Sequence, residues 1–224
     1  MPVGRSIQPN ELAQFSSEIQ GVEEKRRWAL YDSITFAAAA VITGDQTLFA
    51  LPIGQGVPAK TLLDTNVHAA STLPARQGLE IWDIRVQIEL RLLHSSITTV
   101  TILNNNFERF HDLIYGGSLQ VRQAQKTDLE IAPLAFLPAG YGPTGVGFGS
   151  TNLVAAADTG GGAFLFSNGH PSKAALWDLD PLPIVVLPQR NFSIVVNFPA
   201  AITLPAGVGM RLWVHLDGIL HRAA

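Results

Sequence analysis

The stretch IRVQIELRL at residues 84–92 decides the fold class of this chain. Aliphatic side chains occupy every second position, and arginine, glutamine or glutamate stands between them. Successive side chains of a β-strand point to opposite faces of the sheet, so this period of two predicts a strand with one buried face. Full burial of the five aliphatic side chains would contribute roughly 8–15 kcal/mol, at about 1.5–3 kcal/mol each.

The residues just upstream of this strand change the phase of the pattern. Leu79 and Ile81 are also aliphatic, but they occupy positions of the opposite parity. Two explanations stay open. Either the strand carries a β-bulge near Trp82 and Asp83, or a new strand starts there.

Further strand patterns lie on both sides of this stretch. They cover residues 34–42, 47–51, 97–103, 118–122, 129–137, 184–187, 192–198 and 210–216, with a turn predicted at Gly44-Asp45 and an interruption at Pro133. About eight strands separated by turn signals suggest a β-sandwich or jelly roll. We therefore predict an all-β fold, with a single jelly-roll domain over residues 33–224. Within it, residues 107–115 favour a short helix, and the glycine-rich residues 138–162 predict a long loop.

Residues 1–32 are predicted to form an N-terminal amphipathic helical arm. Asn10 can cap a helix over residues 10–31, and apolar side chains recur at 3-4-3 spacing, at Leu12, Phe15, Ile19 and Val22. The run EEKRR at residues 23–27 places cations toward the C-terminal end, where the helix dipole favours them. A helix with so narrow an apolar stripe needs a surface to pack against. That surface is the barrel of its own chain, which we slightly prefer, a neighbouring subunit or a membrane. The four apolar residues are our candidate assembly residues.

Composition argues against several functional classes. A net charge of −3 provides no large basic field for nucleic acid, and residues 1–31 carry equal numbers of cations and carboxylates. The absence of cysteine excludes a disulfide framework and thiolate metal sites. The first residues lack the apolar core of a signal peptide, and no run approaches 18 apolar residues. We expect a chain made and folded in the cytosol.

Catalytic and metal-binding motifs are incomplete wherever they begin to form. The six histidines include no His-x-His pair of the kind that metal-binding cupins need, and there is no Gly-x-Ser-x-Gly elbow. The run GVGFG at residues 145–149 lacks the Lys-Ser/Thr of a phosphate-binding loop. His215 is expected to be a surface or interface residue. We predict no catalytic residues, no cofactor and no metal, with a cupin-like enzyme as the least favoured alternative.

Three stretches carry a resemblance to a known class of proteins. Residues 183–194, PIVVLPQRNFSI, look like a penultimate strand pair, and residues 211–222, RLWVHLDGILHR, look like a final strand closing with a Leu-Asp-Gly turn. Residues 60–66, KTLLDTN, followed by LPA at residues 73–75, are similar in style. Together these segments resemble the major or minor jelly-roll capsid proteins of tailless icosahedral double-stranded-DNA bacteriophages, some of which contain an internal membrane. The resemblance covers most of residues 45–224.

The resemblance implies a structural coat protein that self-assembles into an icosahedral shell. Its partners would be further copies of itself, other coat proteins and, in membrane-containing phages, the membrane surface, without sequence-specific nucleic acid. Its location would be the virion, assembled in the host cytoplasm. The alternative is a phage spike, decoration protein or carbohydrate-binding β-sandwich, which predicts exposed aromatic side chains at Trp177, Trp213 or Tyr141.

Overall fold

Nine strands in the described part of the chain form two antiparallel sheets. The computed structural model describes residues 23–92, 112–123, 126–137, 139, 177–179, 183–204 and 208–223. The strands are β1 Glu23–Phe36, β2 Val41–Leu48, β3 Gln77–Leu92, β4 Ser118–Gln123, β5 Lys126–Pro133, β6 Trp177–Asp178, β7 Ile184–Val186, β8 Phe192–Thr203 and β9 Val208–Ala223. A short helix at residues 112–116 precedes β4, and a 3-10 turn, Leu134–Phe136, follows β5. The predicted all-β class is confirmed.

The strands pair in a nested order. Sheet A runs β1-β9-β3, with β6 and β7 both on the far edge of β3, and sheet B runs β2-β8-β4-β5. Thus β1 pairs with β9, β2 with β8, β3 with β6 and β7, and β4 with β5, always antiparallel. The chain doubles back on itself as one long antiparallel ribbon. The cross pairs β9–β3 and β8–β4 fold that ribbon into two sheets.

Strand β3 contains the stretch that decided the fold class, and its two halves share one core. Ile84 and Val86 are fully buried, as the alternation predicts. Leu79 and Ile81 are equally buried despite their opposite parity, because the register against β9 shifts between Ile81 and Asp83. The bulge alternative is therefore confirmed, since one extra residue returns both halves of the strand to the same face.

Gly218 lies in β9 opposite this bulge, where the two strands approach closely. It pairs with Ile81, and a Cβ atom there would overlap the carbonyl oxygen of Glu80 and lie 2.8 Å from its carbonyl carbon. The sequence predicts a closing turn at Leu216-Asp217-Gly218, and this prediction is wrong, because β9 continues through these residues to Ala223. The glycine is needed for close backbone approach and not for a turn.

The predicted N-terminal helix is wrong over residues 23–31. These residues form the first part of β1 and pair with β9 from Glu23↔Ala223 onward. The inward positions Trp28 and Leu30 have period two, and a 14-residue strand with a complete antiparallel partner outweighs local helix preference. The strand also crosses the domain boundary predicted between residues 32 and 33. The candidate assembly residues Leu12, Phe15, Ile19 and Val22 lie outside the described residues.

Two other local predictions are settled by the strand pairing. The turn predicted at Gly44-Asp45 is wrong, since both residues lie within β2, where the register against β8 shifts between Ile42 and Gly44. Gly44 has a φ of +66°, a left-handed conformation that glycine adopts without strain and that suits a bulge. The interruption predicted at Pro133 is confirmed, because β5 ends at that residue.

Three further predictions fall largely or wholly beyond the described part of the chain. The predicted helix at residues 107–115 overlaps the observed one at residues 112–116, and its first part lies outside the described residues. The strand predicted at residues 97–103 lies outside them, as does nearly all of the predicted loop at residues 138–162.

Candidate functional site

Polar and aromatic side chains run along the outward face of sheet A. In β9 the even-numbered positions from Met210 to Leu220 are buried, so the odd-numbered positions point away from the core. The register of β1 and β3 places their own outward residues beside these. We call this set the outer stripe, and it consists of Tyr31, Arg85, Glu89, Arg211, Trp213, His215 and Asp217.

Trp213 is at the centre of the outer stripe, and its ring is enclosed by neighbours. The Arg211 guanidinium carbon is 5.2 Å from the ring centroid, and the His215 ring is nearly parallel to the indole, at 14° and 5.9 Å. These two residues precede and follow Trp213 on the same face of β9, so both side chains lie beside the indole. The indole nitrogen donates to Glu89 Oε2 at 3.4 Å.

The charged members of the outer stripe are paired and partly buried. Arg85 forms an ion pair with Asp217 and donates from Nη1 to the carbonyl oxygen of Ala139 at 3.2 Å. Burial, together with the nearby Arg85 charge, lowers the pKa of His215 to about 4. Burial raises the pKa of Asp217, although Arg85 acts in the opposite direction. His215 is therefore neutral at pH 7, and its half-buried side chain faces outward from β9.

We expect His215 to make the stability of the fold sensitive to mild acid. Its pKa in the folded state is about 4, below the ordinary histidine value of 6.5, so the unfolded chain binds the proton more tightly. The stability is complete above pH 6.5 and falls as the pH drops toward 4. His215→Gln removes this loss, and we expect the variant to gain about 2 kcal/mol relative to the parent between pH 7 and pH 5.

Urea unfolding of both proteins across this pH range measures the effect. The raised pKa of Asp217 acts with the opposite sign, so the difference between parent and variant is the informative quantity. The same substitution at His68, an exposed residue, serves as the control. Equal pH profiles for the parent and His215→Gln would contradict the prediction.

The loop between β2 and β3, residues 49–76, is anchored by a buried carboxylate. Asp32 is fully buried and accepts hydrogen bonds from Lys60 Nζ at 2.5 Å and from the Phe49 backbone N–H at 2.6 Å. Asn66 accepts from the backbone N–H of Tyr31 and donates to the carbonyl oxygen of Ala29, both at 2.8 Å. The loop thereby satisfies backbone groups along the edge of β1 that faces away from β9, which protects an edge strand.

This anchored loop displays aliphatic side chains to solvent. Its exposed large apolar residues, which we call the loop patch, are Leu51 at 43%, Val57 at 103%, Leu62 at 63% and Leu63 at 76% exposure. Flexible loops often show such side chains, but here buried hydrogen bonds hold the backbone in place. Fixed, exposed aliphatic groups are typical of surfaces that contact another protein.

Asp64 connects the loop patch to the outer stripe. Its carboxylate accepts from the backbone N–H and the hydroxyl of Thr61 at 2.9 and 2.8 Å, and it pairs with Arg211 at 3.0 Å. Burial acts to raise the pKa of Asp64, but the Thr61 hydrogen bonds and the Arg211 charge outweigh it and lower the pKa. The Ser33 hydroxyl also donates to the Asp64 carbonyl oxygen at 2.9 Å. The part of the loop patch at Leu62 and Leu63 therefore adjoins the outer stripe.

The residues predicted to carry function are only partly brought together. Of the aromatic trio, Trp213 is described, whereas Tyr141 and the Trp177 side chain lie outside the described residues. Among the residues that the structure describes, no group of three or more His, Asp and Glu side chains could hold a metal ion. In that same part of the chain, no helix is long and apolar enough to cross a membrane.

Sequence reasoning missed the anchor and the loop patch. The run KTLLDTN at residues 60–66 was noted only for its similarity to phage coat sequences. Its two leucines follow neither a strand nor a helix period, so no pattern indicated that they are exposed. Comparison with known proteins adds no relative, since no family model, curated protein or solved structure matches this chain.

Proposed function

We propose that this fold is a jelly roll and that the chain is a structural capsid subunit that self-assembles. The nested strand pairing is the observation that carries the proposal. Both β6 and β7 lie along the same edge of β3, and the Leu179 N–H between them donates to the Trp82 carbonyl oxygen at 2.8 Å. Counted as one interrupted strand, they give eight strands that pair first with eighth, second with seventh, third with sixth and fourth with fifth.

That pairing is expected of a jelly roll, which contains two Greek keys in two packed sheets. Jelly rolls serve as viral capsid domains, as lectins and as cupins. Most buried side chains in the described part of the chain are aliphatic or aromatic, and only five are polar or charged, which does not favour a cupin-type polar interior. Trp213 is half-buried and already contacts Arg211 and His215, which does not favour sugar stacking there. A capsid subunit fits these observations best.

The positions of the exposed apolar groups support contacts between copies. Leu62 and Leu63 of the loop patch lie beside β1, an edge strand of sheet A, because the Tyr31 hydroxyl donates to the Leu62 carbonyl oxygen. Tyr115 and Phe136 are also exposed, and they flank the β4–β5 pair, where β5 is the edge strand of sheet B remote from β2. The consecutive strands β1 and β2 are edge strands on the same side of the sandwich, whereas β5 is the opposite edge of sheet B. The two apolar surfaces therefore lie on different sides of the sandwich. A head-to-tail contact between unlike surfaces generates rings or extended lattices.

The proposal is tested on the full chain by size-exclusion chromatography with light scattering, followed by electron microscopy. We expect concentration-dependent assemblies with a regular ring or shell outline. The proposal would be refuted if the chain is a stable, folded monomer at high concentration and needs no partner protein to stay folded.

The loop patch makes a sharper prediction. We expect the double substitution Leu62→Asp, Leu63→Asp to weaken self-association by about 100-fold, which corresponds to ~2.8 kcal/mol, because a buried unpaired carboxylate opposes association. Both side chains are exposed, so the free energy of unfolding should change by no more than about 0.5 kcal/mol for each substitution. Analytical ultracentrifugation and urea unfolding measure the two quantities.

Val41→Asp is the matched control for this pair. Val41 is exposed to a similar degree, at 60%, but it lies at the start of β2 outside the loop patch. An equal loss of association in the control would show that surface charge, and not the loop patch, governs assembly.

A further inference from the structure

Cations gather at the end of the sandwich where β1 begins and β9 ends. The strand register places Arg222 of β9 between Glu24 of β1 and Gln77 of β3. The turn between β7 and β8 joins the same end, because the Gln189 N–H donates to the Leu73 carbonyl oxygen at 3.3 Å. We call the lysine and arginine side chains at this end the basic cluster, and they are Lys25, Arg26, Arg27, Arg76, Arg190 and Arg222.

The basic cluster keeps an excess of positive charge after the neighbouring carboxylates are counted. Glu24 accepts from Arg222 Nε at 2.6 Å and from Arg26 Nη2 at 3.2 Å. Glu80 in β3 is a second carboxylate, and Glu23, the first residue of β1, is counted as a third. Six cationic side chains and three carboxylates give this end a side-chain charge of +3, so the remainder of the chain carries −6 within a total of −3. The net charge of the sequence conceals this separation.

Most of the basic cluster is open to a ligand. The four members that do not contact Glu24 are exposed, and none of them forms an ion pair with another described residue. Arg27 acts to lower the pKa of Asp217, but that carboxylate already pairs with Arg85. The backbone positions of the cluster extend over three strand spacings, from β1 across β9 and β3 to the β7–β8 turn, which is roughly 15 Å. Cations spaced in this way suit a ligand with repeated negative charges.

We infer that the basic cluster binds the phosphate backbone of nucleic acid, without preference for base sequence. Five of its six members are arginines, and a planar guanidinium donates two parallel hydrogen bonds to a phosphate. A membrane surface fits less well, because interfacial binding to lipid also needs exposed apolar side chains. Among the described residues, the exposed large apolar side chains all come from segments other than those that carry the cluster. Contacts to phosphate carry no sequence information.

Fluorescence anisotropy of a short labelled DNA duplex, titrated with the full chain, tests the inference. If each of the four exposed members neutralises one phosphate, the logarithm of the binding constant falls against the logarithm of salt concentration with a slope of about −3.6. Binding then weakens about 150-fold between about 50 and 200 mM salt. Two duplexes of unrelated sequence should bind with affinities within about twofold of each other.

Single substitutions identify the surface. Arg190→Gln should bring the slope closer to zero by about 1, and adding Arg76→Gln should bring it closer by about 1 more. Arg122→Gln is the matched control, because Arg122 is a partly exposed arginine that lies in sheet B and pairs with Asp45 at 2.8 Å. The slope should not change in the control.

Four results would overturn the inference. They are no binding at about 50 mM salt, an affinity that does not depend on salt, an equal effect of Arg122→Gln and Arg190→Gln, and tighter binding to poly-glutamate or to vesicles of anionic phospholipid than to the duplex. The inference does not rest on the capsid proposal. Assembly is measured by chromatography without nucleic acid, so failure of one and failure of the other give different results.

Discussion

Replacing Gly218 with alanine is expected to lower the free energy of unfolding by about 3 kcal/mol or more. The added Cβ would overlap the carbonyl oxygen of Glu80 and lie 3.1 Å from the Ile81 Cα. Both are backbone atoms of the strand next to β9, so no side-chain rotation can relieve the overlap. The strands must separate at the bulge, which breaks the ladder between β3 and β9, the central pair of sheet A.

Gly116→Ala is the control for this prediction. A Cβ there would approach only the end of the Ile202 side chain, at 3.3 Å, which can rotate away. We expect a change below about 1 kcal/mol for the control. Urea unfolding followed by circular dichroism measures both variants. A Gly218→Ala protein as stable as Gly116→Ala would show that the two strands can separate at little cost.

Replacing Asp32 with alanine is expected to lower the free energy of unfolding by about 3–5 kcal/mol. The substitution leaves the Phe49 N–H without its acceptor, and it leaves Lys60, whose side chain is only 16% exposed, without its carboxylate partner. Both losses fall on the β2–β3 loop. We therefore expect the loop to become accessible to proteases near Lys60, which limited proteolysis with trypsin measures.

Two comparisons make the Asp32 prediction specific. The exposed ion pair between Asp45 and Arg122, at 2.8 Å, offers the matched case, and Asp45→Ala should cost no more than about 1 kcal/mol. Adding Lys60→Met to Asp32→Ala should recover part of the loss, because no charge is then left without a partner. If Asp32→Ala and Asp45→Ala cost the same, the buried anchor contributes no more than a surface pair.

The same loop shows how far the candidate site could be predicted. The run at residues 60–66 resembles phage coat sequences, but its two leucines follow neither a strand nor a helix period. Their exposure could therefore not be predicted from the sequence. Asp32 also gave no signal, because an aspartate between Tyr31 and Ser33 looks like any polar residue of a half-exposed strand. Its role depends on Phe49 and Lys60, which lie 17 and 28 residues away. No local pattern specifies such a contact.

The first strand shows the limit of periodicity in the fold itself. Apolar side chains at Leu12, Phe15, Ile19 and Val22 followed by the charged run at residues 23–27 indicate a helix, and the prediction extended it to Tyr31. The observed strand begins at Glu23, because β9 provides a partner for all 14 residues of β1. That partner lies as many as 200 positions away, since Glu23 pairs with Ala223. Pairing at that separation is invisible to any local window.

The amino-acid sequence by itself determined that the fold is all-β, which faces of β3, β8 and β9 are buried, and that β3 carries a bulge or a break. These properties are local, because side-chain alternation along one strand reports its two faces directly. Tertiary structure alone decided the nested order of the strands, the bulge in place of a break, the close approach at Gly218 and the surface formed by the loop patch and outer stripe. Each of these depends on which distant strand lies alongside, and that choice minimises the free energy of the whole chain rather than of any segment.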